Sequence, residues 1–172
     1  MRRVLYSVAM SPDGYIAGPD GELDWIVMDP DIDFAAKMQR FDTVLMARKT
    51  YAAAQAKGGG GAFGKRAIVF SNTLRQKDCK GVSVSNDVEG VVSSLRSQPG
   101  KDIWLFGGGE HFRSVLSLNL VDGVQAAIVP VLLGKGAPFP PEREEQAKLP
   151  LKGHRTYKKR EAWFSNTPFC GS

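Results

Sequence analysis

The chain has 172 residues, 42% of them hydrophobic, enough for one complete core and too few for two independent domains of ordinary size. Its formal charge of +5 favours anionic ligands only weakly: the basic residues are scattered, and the densest cluster, Lys158-Lys159-Arg160, reads as a solvated strand end, so no nucleic-acid partner is expected. No apolar run approaches membrane-span length, and Cys79, Cys170, His111 and His154 show neither a disulfide framework nor metal-ligand spacing, so no membrane and no metal is expected and reduced thiols in a cytoplasmic protein fit best.

The first element is a strand over Arg3 to Met10: its alternation, and the Ser11-Pro12-Asp13 that follows at once, favour a strand over a signal peptide. A helix is predicted from Asp31 to Phe41, with Phe34, Met38 and Phe41 as its apolar stripe and Asp29 and Asp31 suited to its cap and first turn. A strand over Thr43 to Ala47 and a helix over Thr50 to Ala56 come next. Gly58 to Gly61 reads as a surface loop; no Lys-Ser or Lys-Thr pair follows it, which argues against a P-loop. Strands are then predicted at Arg66 to Phe70 and Val82 to Ser85, a helix at Val88 to Ser97 and a strand at Asp102 to Phe106. That strand stops at Gly107-Gly108-Gly109 before a helix from Glu110 to Leu118. Such a corner is either a tight turn or a place where bare backbone and a helix N-terminus meet a phosphate. The usual GxGxxG dinucleotide fingerprint near the first strand is absent.

After Val124 the pattern changes. Val124 to Leu133 is almost continuously apolar, which predicts an interior strand over Val124 to Val131 with a bulge or break at Pro130. Gly134-Lys135-Gly136 and Pro138 to Pro141 read as turns, and strands at His154 to Lys158 and Glu161 to Ser165 as a hairpin around Lys159-Arg160. The fold class expected is therefore α/β: a mixed, mostly parallel eight-stranded sheet flanked by about four helices, with a C-terminal antiparallel hairpin, residues 1–172 forming one domain.

Several landmarks fall in a recognisable order: Ala9-Met10-Ser11-Pro12-Asp13-Gly14-Tyr15-Ile16-Ala17, Trp25, Val44 to Tyr51, Val69-Phe70-Ser71, Ile103 to Glu110, and Pro130 to Gly136. Together, over about Arg3 to Phe164, they resemble the dihydrofolate-reductase-like superfamily, and within it most closely the C-terminal reductase domain of bacterial riboflavin biosynthesis proteins. The resemblance implies NADPH as cofactor and hydride transfer to a small planar heterocyclic or imine-containing substrate. Fold alone does not fix chemistry, so the site residues have to carry it.

By that resemblance, the cofactor-binding residues are Ala9, Ala47, Arg48, Lys49, Thr50, Ser71, Gly107, Gly108, Gly109 and Glu110. Arg48 is the expected contact for the phosphate on the adenosine ribose, since its planar donor fork meets several phosphate oxygens. Ala47 stands where the family pattern has glycine. Thr50 either caps the next helix or also contacts phosphate, and Ser71 either donates to phosphate or starts the Asn72-Thr73 turn. Glu110 suits a helix start but repels phosphate, so its carboxylate is expected to point away. Tyr15, Trp25 and Phe34 are the candidate substrate surface, and Asp33, then Asp31, the candidate acid that binds a substrate edge and assists protonation. The spacing from Trp25 to that acid departs from dihydrofolate reductase itself, which argues against folate recognition. A phosphorylated substrate would need a second anion site, for which Lys135 and Arg155 are candidates. The alternative from another class is a non-catalytic NADP-binding or structural module, with a homodimer left open.

Overall fold

The computed structural model describes residues 1–27, 29–56, 63–140, 148–157 and 163–168, the last stretch by its backbone. The predicted hairpin turn at Lys159-Arg160, the Gly58 to Gly61 run and Cys170 lie outside these residues.

Among the described residues, fifteen short elements follow one another: β1 Val4–Met10, β2 Tyr15–Ala17, α1 Phe34–Gln39, β3 Phe41–Ala47, α2 Arg48–Ala56, β4 Arg66–Phe70, a 3-10 turn at Gln76–Asp78, β5 Ser83–Ser85, α3 Val88–Ser97, β6 Asp102–Leu105, α4 Gly109–Ser117, β7 Gly123–Ile128, β8 Ala137–Pro138, β9 Gly153–Thr156 and β10 Trp163–Pro168. Eight strands form the main sheet in the order β5-β4-β3-β6-β1-β7-β10-β9, and β2 pairs with β8 beside it. From β5 through β7 all pairings are parallel, whereas β10 runs antiparallel to both β7 and β9. This is the expected α/β class, and each of the eight predicted strands is a strand of the main sheet.

The central strands are apolar because both faces are covered. Val4, Tyr6, Leu45, Ile103 and Leu105 pack with Val92 and Leu95 of α3 and with Phe112, Val115 and Leu116 of α4. Leu5, Val44, Met46, Val69 and Trp104 pack on the opposite face with Tyr51 of α2, and Met38 of α1 rests against them. Burying each such large side chain contributes roughly 1.5–3 kcal/mol. Helices therefore change sides of the sheet where β6 inserts between β3 and β1, and it is at such a switch, at the strands' C-terminal rim, that α/β sheets open a crevice.

Several boundaries differ from expectation. Helix α1 starts at Phe34, not Asp31: Asp29 turns the chain first, its carboxylate accepting the Asp31 N–H at 2.8 Å, and Asp33 supplies the cap by accepting the Ala36 N–H at 2.8 Å. Phe41 leaves the helical stripe and opens β3, buried in the core. Helix α2 starts at Arg48, two residues early, so Thr50 lies within the helix and is not its cap. Strand β7 stops at Ile128, before Val129-Pro130, which is the break expected where proline cannot join the ladder. Strands β2 and β8 were not expected; Ala137–Pro138 reads as a turn in sequence and is held as a strand by the loop that carries Tyr15.

Candidate functional site

Strand β3 runs directly into α2, so Arg48, Lys49 and Thr50 make up that helix's first turn, with no acidic residue among them. Arg48 and Lys49 are exposed and form no ion pair among the described residues. Cations at the positive end of a helix dipole are unfavourable by about 0.3–1 kcal/mol each, and an arriving anion reverses that balance.

Strand β6 ends beside this turn. Gly107 has φ +123°, and a Cβ there would run into Thr50 Oγ1, so the bare backbone lies flat against α2. The Tyr6 hydroxyl donates to the Gly107 carbonyl at 2.8 Å, and burial raises that phenol's pKa, keeping it a donor. Gly108 is the N-cap of α4 and brings no side chain; a Cβ at Gly108 would have nothing within 4 Å. The N–H groups of Gly109, Glu110 and His111 come before the first intrahelical bond, from Phe112 N–H to the Gly108 carbonyl at 3.3 Å. Glu110 is turned outward, 78% exposed and paired with Arg113 at 2.6 Å, as its charge requires beside an anion.

Strand β1 completes the corner. Its pairing with β6 ends at Tyr6, whereas its pairing with β7 continues to Met10. Val4 and Met10 accept from Asp122 and Val129 on the β7 side, and Arg3 accepts from Ile103 of β6. Alternation along a parallel strand therefore turns the Ala9 N–H and C=O toward the β6 side, where the ladder has already ended. Two helix starts, the Ala9 edge and two cations with no ion-pair partner among the described residues thus share one rim.

Ser71, on the same rim after β4, accepts the N–H groups of Thr73 at 3.1 Å and Leu74 at 3.0 Å, so it builds the turn. Behind it, His111 is buried with its ring 5.6 Å from that of Phe70, and its Nε2 has no partner among the described residues; burial pushes its pKa down to about 4. The candidate substrate residues lie on β2, on the loop after it and at the start of α1. Trp25 is half-buried and donates from Nε1 to the Glu22 carbonyl at 3.1 Å, Tyr15 is half-buried on β2, and Phe34 is 42% exposed at the start of α1. Asp31 and Asp33 are exposed just before α1, and one Asp33 oxygen is taken by the cap. Arg155 lies near Lys37, each cation 5.8 Å from the Tyr157 ring, and burial followed by the nearby Arg155 lowers the Lys37 pKa. Lys135 sits in the exposed turn that Asp13 ties down through Gly134.

Tyr6 and His111 were not foreseen. A tyrosine inside an otherwise apolar buried strand is the signal that leads to the first, because its hydroxyl needs a partner. Nothing in composition marks the second. Among the described residues no group of three His, Cys, Asp or Glu is arranged to hold a metal, and no helix is long and apolar enough to cross a membrane.

Known proteins share this architecture. The chain is 31% identical over 168 residues to YyaP of Bacillus subtilis (strain 168), covering 91% of this chain and 89% of that one, and 27% identical over 161 residues to YwjB of the same organism, covering 91% and 92%. Among solved structures, a Shewanella sp. PV-4 protein assigned to riboflavin biosynthesis superposes with a TM-score of 0.83 at 23% identity, covering 98% of this chain and 99% of that one. Dihydrofolate reductase from Enterococcus faecalis, complexed with NADP(H) and RAB-propyl, superposes with a TM-score of 0.72 at 18% identity, covering 97% and 95%. A Thermotoga maritima deaminase/reductase, 5-amino-6-(5-phosphoribosylamino)uracil reductase in its second part of the name, gives 0.69 at 19% identity, with 98% of this chain spanning 57% of that one. The RibD C-terminal domain matches residues 2–161, and the chain belongs to that family.

Proposed function

We propose that the chain is an NADPH-dependent reductase that reduces a small planar heterocyclic or imine-containing substrate. One observation carries the reading: an acid-free helix start bearing Arg48 and Lys49 abuts the side-chain-free start of α4, next to the unpaired Ala9 edge of β1. A dinucleotide with a ribose phosphate, a pyrophosphate and a carboxamide fits these three features in turn, and the glycines leave room for it. That one solved structure of this fold is a dihydrofolate reductase complexed with NADP(H) supports the same reading.

Arg48 clamps the ribose phosphate with its planar fork, and Lys49 adds charge beside it. The open amides of the α4 first turn take the pyrophosphate, while Ala9 offers a donor and an acceptor to the carboxamide. Bound there, the cofactor supplies a hydride from C4 of its reduced ring to an electrophilic substrate carbon and becomes NADP⁺. Asp33 keeps one carboxylate oxygen outside its cap bond, able to bind a substrate edge and pass on the proton that completes the reduction. Ala47, in place of glycine, narrows the approach by one methyl group.

Calorimetric titration of NADPH, NADP⁺ and NADH tests the reading. Wild type is expected to prefer the phosphorylated cofactors at least tenfold, and Arg48→Ala to lose most of that preference. Equal binding of NADPH and NADH by the wild type would overturn it.

A further inference from the structure

We propose that the Tyr6 hydroxyl is a positioning group for the cofactor site, holding the Gly107–Gly108 peptide so that its N–H, and not its carbonyl, faces the bound anion. This rests on the reductase reading and concerns how the same site is kept ready for a pyrophosphate.

The Gly107–Gly108 peptide lies between two layers. On one side Tyr6, from the core shared with α3 and α4, donates to the Gly107 carbonyl at 2.8 Å. On the other stands the first turn of α2, whose Thr50 closes on the Gly107 backbone. The peptide bond is trans, so its C=O and N–H point in opposite directions. With the carbonyl turned to Tyr6, the Gly108 N–H is turned away from it, toward the α2 side. That N–H has no partner among the described residues, and a Cβ built on Gly108 meets nothing within 4 Å. One more donor therefore joins the open amides of Gly109, Glu110 and His111 at the start of α4.

Glycine at both ends is the reason this peptide needs a holder. A flip of its plane changes ψ of Gly107 and φ of Gly108, and neither residue has a Cβ to resist it. Flipped, the peptide would present a carbonyl oxygen where the reading puts phosphate. Tyr6 decides between the two orientations. As it stands, the phenol, kept protonated by burial, donates to the carbonyl. In the flipped form its oxygen would accept the N–H, but its own buried proton would be left without an acceptor, and an unmade buried bond is costly. The ring is itself fixed: Tyr6 is fully buried, its centroid 5.4 Å from that of Phe139 and 4.4 Å from that of Phe112. Phe112 is the residue whose N–H closes the first turn of α4 on the Gly108 carbonyl, so the phenol is packed against the helix start that it serves.

The test is titration of NADPH, NADH and adenosine 2′-monophosphate into wild type, Tyr6→Phe, Gly108→Pro and the double variant. Tyr6→Phe should weaken NADPH and NADH alike by about tenfold, keeping the ratio between them that Arg48 sets. Adenosine 2′-monophosphate carries the ribose phosphate and no pyrophosphate; it should bind Tyr6→Phe within about twofold of wild type, which also shows that the variant folds. Gly108→Pro deletes the N–H itself at a φ of −73°, which proline adopts. In that background Tyr6→Phe should cost less than about twofold more, because the group it positions is gone. Unchanged NADPH affinity in Tyr6→Phe, a parallel loss of adenosine 2′-monophosphate, or fully additive losses in the double variant would overturn the proposal, while NADPH preference in wild type leaves the cofactor reading standing. Failure of wild type to prefer NADPH, or to bind adenosine 2′-monophosphate, removes both.

Discussion

At the scale of single residues, two side chains separate structural from chemical work. Asp33 caps α1, and asparagine caps equally well, so Asp33→Asn should leave thermal stability unchanged, while Asp33→Ala costs about 1 kcal/mol. If Asp33 also delivers the proton, Asp33→Asn lowers kcat for NADPH oxidation by about 100-fold or more; full activity in that variant would pass the role to water. His111 is the second case. The unfolded chain binds its proton below the ordinary pKa of 6.5, but the folded chain resists until about 4. Between those values the unfolded state holds more protons, so stability is fully present above the upper value and falls with pH, by about 2 kcal/mol at pH 5. His111→Leu removes a buried nitrogen that has no partner among the described residues; urea midpoints at pH 7 and pH 5 should show equal or greater stability at the first and a flatter decline toward the second.

At the scale of elements, the contact between β6 and α2 is the most demanding. Gly107→Ala meets both a positive φ and the Thr50 side chain, and should cost more than about 1 kcal/mol and weaken NADPH binding, measured by denaturation and titration. Leu45→Ala, in the middle of β3, should cost about 2–5 kcal/mol in the same denaturation while leaving the rim's groups in place. The central strands of the main sheet were readable because burial on both faces writes them as apolar runs. Strands β2 and β8 were not, since three and two residues carry no period, and their pairing depends on where two loops meet. The start of α1 was misplaced because Asp29, Asp31 and Asp33 are equally competent caps, and the choice among them is made by the fold. The glycine corner was marked as a candidate by residue type, whereas Arg48 was singled out only through the family resemblance. The Ala9 edge could not be read, because its openness depends on where β6 stops, its pairing with β1 ending at Tyr6 while β1 runs on to Met10.

For the molecule as a whole, a ligand that binds only the folded chain raises its melting temperature. At a hundred times its Kd, NADPH should stabilise by about 2.7 kcal/mol, roughly 5–10 °C for a chain of this size, and NADH at the same concentration by less. Thermal scans with Arg48→Ala should show the two cofactors level. The rim has one further tie. Asp13 accepts the N–H groups of Gly134 at 2.7 Å and Leu133 at 3.3 Å, and Gly14 accepts that of Phe139 at 2.7 Å, while the Ser11 hydroxyl and then Gly134 hold the Asp13 carboxyl below its usual range. Two stretches about 120 residues apart are thereby fastened into one piece, and they must breathe together. In deuterated water, Asp13→Ala should speed amide exchange at Gly134 and at Tyr15 alike, so that a change made in the first loop is felt in the segment beyond β7.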